Sequence, residues 1–303
     1  MDANLMSSLP KLLITGASGF TGKHACHHFS KAGFEVIAVT RTQSFNEEIQ
    51  TEHCDLTNKE AVRRMIKKIK PEFLLHLAGQ NQVGQSWLDP VMSLEVNAVA
   101  TAYLLEALRQ ENPSCKIVIV GSALQFDPAN MSTLTHPYSL SKTLQVVIAQ
   151  SWAILYNMHI VIAKPSNLIG TGFSNGVCSI FAKKIVDMEE NKSKKVLEVN
   201  NLYAQRDYID IRDALSAYEI LLVKGKSGEI YDISSGKSHS LEEVINCFKS
   251  LTEAKFETLS RTDEKEQKVE IIPYRLKELG WKPNILLKSS LQDILTFYRK
   301  NNR

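Results

Sequence analysis

The sequence predicts an α/β fold, a doubly wound parallel sheet followed by a smaller α/β region. Three observations predict it. Short β-branched apolar runs alternate with longer stretches of helical periodicity through the first half of the chain. Those runs are apolar at nearly every position, as in strands buried on both faces. A glycine-punctuated turn stands between the first run and the first helix. Alternating strands and helices with right-handed crossovers then build one sheet with helices on both sides.

The elements follow in order. Lys11–Thr15 (KLLIT) is the first strand, and a helix runs from the glycine turn to about Lys31. Glu35–Val39 (EVIAV) is the second strand. Lys59–Ile69 reads as an amphipathic helix closed by Pro71, and Phe73–Leu77 (FLLHL) as a strand. From Val91 the apolar positions Leu94, Ala98, Ala102, Leu105 and Leu108 recur at helical spacing. Lys116–Val120 (KIVIV) is the next strand. A long helix spans about Tyr138 to Asn157, with Leu140, Leu144, Val147, Ile148 and Leu155 on one side, and His159–Ala163 (HIVIA) is another strand.

Beyond Pro165 the alternation breaks down. Gly170–Gly176 is a loop, a helix reaches about Glu190, and Asn191–Lys195 is polar and lysine-rich. Ser240 with Glu243 three residues on fits a capping box. The expected division is 10–165 for a dinucleotide-binding domain and 166–303 for a smaller region, with segments near 205–235 returning to the first. The paired lysines 67/68, 183/184 and 194/195 read as solvated faces and turns.

Composition narrows the class. In 303 residues, 44% are apolar and 23% charged, enough for a large core. Thirty-six basic against thirty-three acidic residues leave a net charge of +3, which does not favour a nucleic-acid binder. No apolar run approaches the roughly 18–20 residues of a membrane helix. Met1 to Pro10 lacks the basic-then-apolar pattern of a leader. The cysteines (Cys26, Cys54, Cys115, Cys178, Cys247) are odd in number and widely spread, as for reduced thiols in a cytoplasmic protein.

The strongest local signal is Thr15-Gly16-Ala17-Ser18-Gly19-Phe20-Thr21-Gly22. Between a strand and a helix, glycines allow positive φ and close backbone approach, and the helix N-terminus attracts a pyrophosphate. This is the Rossmann-like arrangement, spaced G-x-x-G-x-x-G. After the second strand, where a binder of NAD usually carries an acid for the ribose hydroxyls, Arg41 stands instead. An arginine pairs with a 2′-phosphate, so NADP(H) is favoured, with NAD(H) the second candidate. Asp55 is placed either to contact adenine or to make a plain turn.

Tyr138-Ser139-Leu140-Ser141-Lys142 opens the long helix, and residues four apart share a face. An ammonium and a nicotinamide cation beside a phenol favour the phenolate, which is how tyrosine becomes an acid–base near neutrality.

Together with Leu77-Ala78-Gly79, Asn97, Ser122, Pro165-Ser166-Asn167, the run Arg206–Asp213 and Gly280-Trp281-Lys282-Pro283, these residues resemble the extended short-chain dehydrogenase/reductase (NAD-dependent epimerase/dehydratase) family, which acts on nucleotide-sugars. Within it, His76 to Gly79, Ser86-Trp87, Phe181–Asp187 and Asn201–Asp213 are similar to the GDP-4-keto-6-deoxy-mannose reductases. The resemblance implies Ser122, Tyr138 and Lys142 as catalytic residues. It implies cofactor contacts from Gly16, Ser18, Gly19, Phe20, Gly22, Arg41, Asp55, Leu56, Leu77, Ala78, Gly79, Tyr138, Lys142, Pro165 and Ser166. Substrate contacts are implied for Val83, Ser122, Asn167, Lys183, Arg206 and Arg261, the last with Thr262 where the family motif has proline. The smaller region would bind the nucleotide-sugar, and two helices per subunit would form a homodimer.

Two departures bear on the reaction. Ser122 is followed by Ala123 and Leu124 rather than the Asp-Glu pair of related dehydratases, and neither can transfer protons. Only fifteen residues separate Ser122 from Tyr138, so the loop that lies over the sugar in the family is short. The leading expectation is a reductase delivering hydride to C4 of a 4-keto-6-deoxy nucleotide-sugar, GDP-linked before UDP- or dTDP-linked. The rivals are a 4-epimerase with tightly bound cofactor and a catalytically silent cofactor sensor. His24, His27 and His28 lack further ligands at metal spacing, so no metal is expected.

Overall fold

A computed structural model describes residues 9–42 and 48–301. The stretch read for a leader therefore lies, through residue 8, outside the described residues. The chain divides into two compact units, 1–163 with 218–230 and 164–217 with 231–303.

In the first unit, β1 (Lys11–Thr15), β2 (Glu35–Thr40), β3 (Gln50–His53), β4 (Phe73–His76), β5 (Lys116–Val120) and β6 (Ile160–Pro165) pair in parallel. The sheet has seven strands, in the order Ile230–Ile233, β6, β5, β4, β1, β2, β3. Ile162 N–H donates to Glu229 O and Ser166 N–H to Ile233 O, an advance of four residues on each strand, so the last strand is parallel too. Order reverses between β1 and β4, which opens a crevice at their carboxyl ends.

β3, whose sequence QTEH is polar, lies at a half-exposed edge and ends just before Asp55, where the sequence places the end of a strand. The central strands are apolar throughout because both faces are covered. One face packs Leu13, Ile37, Leu74, Ile117 and Ile160 against Val62, Met65 and Ile66 of the Lys59–Ile69 helix and against Leu104, Leu105 and Leu108. The Phe20–Lys31 helix buries Ala25, Cys26 and Phe29.

Three helical expectations change. The helix expected from Val91 is interrupted: Pro90–Leu94, a π turn at Glu95–Val99, then Ala100–Glu111. By length and composition this stretch could cross a membrane, contrary to the sequence reading, but half of its most apolar window is buried inside the protein. The Pro137–Tyr156 helix turns small and polar side chains inward. Ser139, Ser141, Lys142, Thr143 and Gln145 are buried beside Val146, Ala149 and Ala153, whereas Leu144, Val147 and Leu155 of its apolar stripe are exposed.

The second unit has its own core. Phe181, Ile185 and Val186 of Val177–Glu189, Val244, Ile245 and Phe248 of Leu241–Lys249, and Leu291, Ile294 and Leu295 of Leu287–Asn301 pack on Leu197, Val199 and Tyr208. The capping box at Ser240 and Glu243 is present.

The aspartates of the Arg206–Asp213 run anchor this unit at intervals of three. Asp207 accepts from the hydroxyls of Ser166 and Ser235 and from the N–H groups of Ser235, Gly236 and Lys237. Asp210 takes both Arg212 and Ser290. Asp213 accepts the Asn284 and Ile285 N–H groups, and its carbonyl accepts Trp281 Nε1–H at 3.2 Å. Buried carboxylates persist only when satisfied in this way.

Candidate active site

The site grows from the switch point between β1 and β4. Gly16 holds φ +69°, and a Cβ there would stand 2.7 Å from the Ala78 nitrogen. The glycine turn is thus pressed against the Leu77-Ala78-Gly79 exit of β4. A Cβ on Gly22 would lie 2.1 Å from the Gly16 carbonyl oxygen, so only glycine lets the Phe20–Lys31 helix approach the turn this closely. That helix starts at Gly19 with no side-chain cap and no acid in its first turn. Its N–H groups and positive dipole end suit a pyrophosphate, so the residues present fit a dinucleotide.

Ser18 and Gly19 are exposed, while Phe20 packs edge-on to His24 at 5.2 Å. Arg41 follows β2 and is exposed. Asp55 is mainly a turn residue: its Oδ1 accepts the Thr57 N–H at 3.0 Å and hydroxyl at 2.8 Å. Those bonds, with Arg41 nearby, hold its carboxyl below the usual range. Leu56 is half-buried against the core of the first unit.

Ser122 lies just past β5 and Tyr138 in the first turn of the Pro137–Tyr156 helix. The Ser122 hydroxyl accepts the Leu124 N–H at 3.1 Å and stands beside the Tyr138 phenol. His136 caps the helix, its Nδ1 accepting the Ser139 N–H at 2.9 Å, and its ring stacks on Tyr138 at 5.9 Å. Ser86 Oγ accepts the Tyr138 N–H at 3.0 Å. Lys142, 6% exposed, donates from Nζ to the Val120 carbonyl at 2.7 Å and to Gln145 Oε1.

The expected approach of the Tyr138 phenol to neutrality rests on Lys142 and a nicotinamide cation together. In the protein by itself burial pushes Tyr138 up, and the neighbouring Ser122 hydroxyl opposes that shift. Burial also pushes Lys142 down to about 7. Both shifts come from desolvation, because both side chains lie almost wholly inside the protein.

A buried polar chain, missed by the sequence reading, connects Lys142 to the switch point. Gln145 Nε2 donates to Thr101 Oγ1 at 3.0 Å, and Thr101 gives its own proton to the Asn97 carbonyl at 2.7 Å. His76 Nε2 lies 2.9 Å from Thr101 Oγ1 and its Nδ1 lies 2.7 Å from Thr15 Oγ1. With the Thr101 proton committed, His76 must donate from Nε2 and accept Thr15 at Nδ1. Thr15 Oγ1 accepts the Ala78 N–H in turn. Asn97, in the π turn, clamps the β4 exit: its Oδ1 accepts the Gln80 N–H and its Nδ2 donates to Gln80 O and Ser141 Oγ. The available signal was a polar residue three positions after Lys142 on a helix face that is otherwise small and buried.

The remaining substrate candidates lie in two places. Val83 opens a short helix of the first unit, and its carbonyl accepts Ser86 Oγ–H at 2.7 Å. In the second unit, Pro165 and Ser166 are buried, Ser166 donating to Asp207 at 2.6 Å, and Asn167 Nδ2 donates to the Asp207 carbonyl. Asn167 registers with Tyr208, two residues from Arg206 on the adjoining strand. Arg206 pairs with Glu266 at 2.7 Å, Arg261 reaches Glu198 at 3.8 Å, and Lys183 is exposed. Among the histidines weighed as metal ligands, His28 pairs with Glu219 at 2.8 Å.

A model of the NAD dependent epimerase/dehydratase family matches residues 12–234. The chain belongs to that family. It is an NAD(P)-dependent oxidoreductase of the extended short-chain type. It is 28% identical to a GDP-6-deoxy-D-mannose reductase of Pseudomonas aeruginosa, over 97% of this chain and 98% of that one. A GDP-6-deoxy-D-talose 4-dehydrogenase of Aggregatibacter actinomycetemcomitans is 27% identical over 78% of each chain. Among solved structures, RMD from Pseudomonas aeruginosa complexed with NADPH superimposes with a TM-score of 0.83 at 27% identity, covering 97% of this chain and 98% of that one.

The neutral, fully bonded His76 makes a prediction. Burial pushes it down to about 3, whereas the unfolded chain protonates it near 6.5. Its contribution to stability is present above 6.5 and is lost as pH falls toward 3, by up to about 1.4 kcal/mol per pH unit. Urea unfolding from about pH 7 to about pH 4 should show a shallower acid-side loss in His76→Gln than in wild type. Equal slopes would refute the buried neutral imidazole.

Proposed function

We propose that the protein is an NADP(H)-dependent reductase of a 4-keto-6-deoxy nucleotide-sugar, GDP-linked in preference to UDP- or dTDP-linked. The observation that carries this reading is Ser122 beside the Tyr138 phenol, one helical turn from a buried Lys142, with Ala123 and Leu124 where proton-transferring side chains would serve a dehydratase. The GDP-6-deoxy-D-mannose reductase and the NADPH-bound RMD support it.

When bound, NADPH supplies the hydride that C4 accepts. Tyr138 gives its phenolic proton to the former carbonyl oxygen, so one hydride and one proton convert the ketone to an alcohol. Ser122 orients that oxygen by hydrogen bonding. Lys142 holds the nicotinamide ribose and sets positive potential beside Tyr138. The glycines at 16, 19 and 22 admit the pyrophosphate, and Arg41 takes the 2′-phosphate. In this reading the second unit binds the nucleotide-sugar, with Asn167, Lys183, Arg206 and Arg261 on the sugar and its diphosphate. The five cysteines are free, as suits a cytoplasmic enzyme.

NADPH and NADH oxidation by purified protein, offered GDP-, UDP- and dTDP-linked 4-keto-6-deoxy sugars in parallel, tests the reading. The expected result is stoichiometric NADPH oxidation with the GDP-linked ketone, falling about 10²–10⁴-fold in Tyr138→Phe. Interconversion of 4-hydroxy epimers without net oxidation would replace the reductase by an epimerase. Absence of all turnover would favour a cofactor-sensing protein.

Cofactor preference has its own measurement. Arg41→Ala should weaken NADPH binding about tenfold and leave NADH unchanged, the size of one charge-assisted contact. Equal losses for both would remove Arg41 from the 2′-phosphate.

The outward apolar stripe of the Pro137–Tyr156 helix supports a homodimer. Ile154 is 77% and Leu155 70% exposed, with Leu144 and Val147 on the same face, and Val91 and Val99 are exposed on the Pro90–Glu111 stretch. Sedimentation equilibrium should give a dimer for wild type and a monomer for Leu155→Lys. A monomeric wild type would reject this surface as the interface.

A further inference from the structure

Lys142 is an ammonium in a nearly dry site. Its acceptors are the Val120 carbonyl at the end of β5 and the side-chain oxygen of Gln145. Gln145 is itself completely buried and is held at its other end by Thr101. Thr101 Oγ1 has spent its only proton on the Asn97 carbonyl, so it can receive Gln145 only as a donor. Position 145 therefore needs one acceptor for Lys142 and one donor for Thr101, without bringing a charge. A side-chain amide meets all three demands. A carboxylate supplies no donor, and an aliphatic side chain supplies neither.

We infer that Gln145 is a positioning residue for the reaction: it holds the Lys142 ammonium against the end of β5, one helical turn from Tyr138, without neutralising it. The inference rests on the proposed role of Lys142. The distinction from an ion pair matters chemically. A carboxylate at this distance would hold Lys142 equally well, but it would cancel the potential that favours the Tyr138 phenolate and the interaction with a ribose hydroxyl. The amide fixes position and leaves the charge available.

The surroundings agree. His76, from β4, lies close enough to Lys142 for the ammonium to lower its proton affinity, and it stays neutral with both ring nitrogens bonded. Tyr138, one turn before Lys142, is the nearer of the two tyrosines on the same helix. Burial alone is the cause that depresses Lys142. The chain from Lys142 through Gln145, Thr101, His76 and Thr15 to the Ala78 N–H ends beside Gly16 at the dinucleotide turn. The position of the ammonium is thereby referenced to the strand ends that the cofactor must cross.

The test reads Lys142 directly and needs no sugar. Lysine side chains carrying an isotopic label are titrated by NMR in wild type, Gln145→Leu and Gln145→Glu, with Lys142→Arg assigning the resonance. NADPH affinity and thermal melting are measured on the same samples. Gln145→Glu should raise the Lys142 midpoint by roughly one to three pH units, since an opposite charge favours the ammonium. Gln145→Leu should lower it by roughly one unit and weaken NADPH several-fold, since a buried ammonium loses an acceptor. If the leucine variant does not fold, the Gln145→Glu midpoint alone decides. Folded variants whose Lys142 titrates as in wild type overturn the inference. With no sugar present, the result is independent of whether any keto-sugar proves to be the substrate.

Discussion

A lysine ammonium taken out of water at the end of a parallel sheet must be hydrogen-bonded on several sides, or it loses its proton. Much of the first unit is arranged around that constraint. The Val120 carbonyl, free because its strand ends there, is one acceptor for Lys142, and Gln145 is another. Gln145 in turn requires Thr101, and Thr101 requires the carbonyl of Asn97 in the π turn. An ordinary α-turn through Glu95–Val99 would change the reach of the Asn97 side chain toward the β4 exit. The interruption of that helix and the placement of Lys142 therefore belong to one hydrogen-bonded arrangement.

The same demand explains the inverted character of the Pro137–Tyr156 helix. A surface helix normally buries its apolar stripe. This one buries the side that carries Ser141, Lys142 and Gln145, while Leu144, Val147, Ile154 and Leu155 face outward. The polar groups are tolerated inside because their bonds are satisfied by strand ends and neighbouring helices, not by water. The outward stripe is left for another surface. In the second unit a comparable logic operates with carboxylates. Asp207, Asp210 and Asp213 each organise a different loop or helix around the Gln205–Asp210 strand and the helix that follows it, so the acidic run is largely a scaffold.

Strands β1, β2, β4 and β5, the Lys59–Ile69 helix and the glycine turn were legible because local chemistry dictates them. Continuous β-branched runs, a 3.6-residue period and glycine at a positive φ each have a nearly unique structural consequence. The extent of β3 was not legible, since Gln50–His53 carries no apolar pattern and its pairing to β2 is made by backbone groups. The π turn was not legible either, because Glu-Val-Asn-Ala-Val fits an α-helix and nothing local forbids one. Of the site, Ser122, Tyr138 and Lys142 were singled out through the resemblance to the family. Their electrostatics could not be read that way, because the direction of the Tyr138 shift depends on how completely the folded chain removes it from water.

The sequence alone determined the alternation of elements and the dinucleotide turn, both set by contacts within a few residues. Only the tertiary structure decided where the buried charge sits, which tautomer His76 holds, which face of the long helix is inside and what the three aspartates bind. Those depend on groups far apart in the chain, such as His76 with Thr101 and Asp210 with Ser290, whose meeting is set by strand order and not by any local pattern.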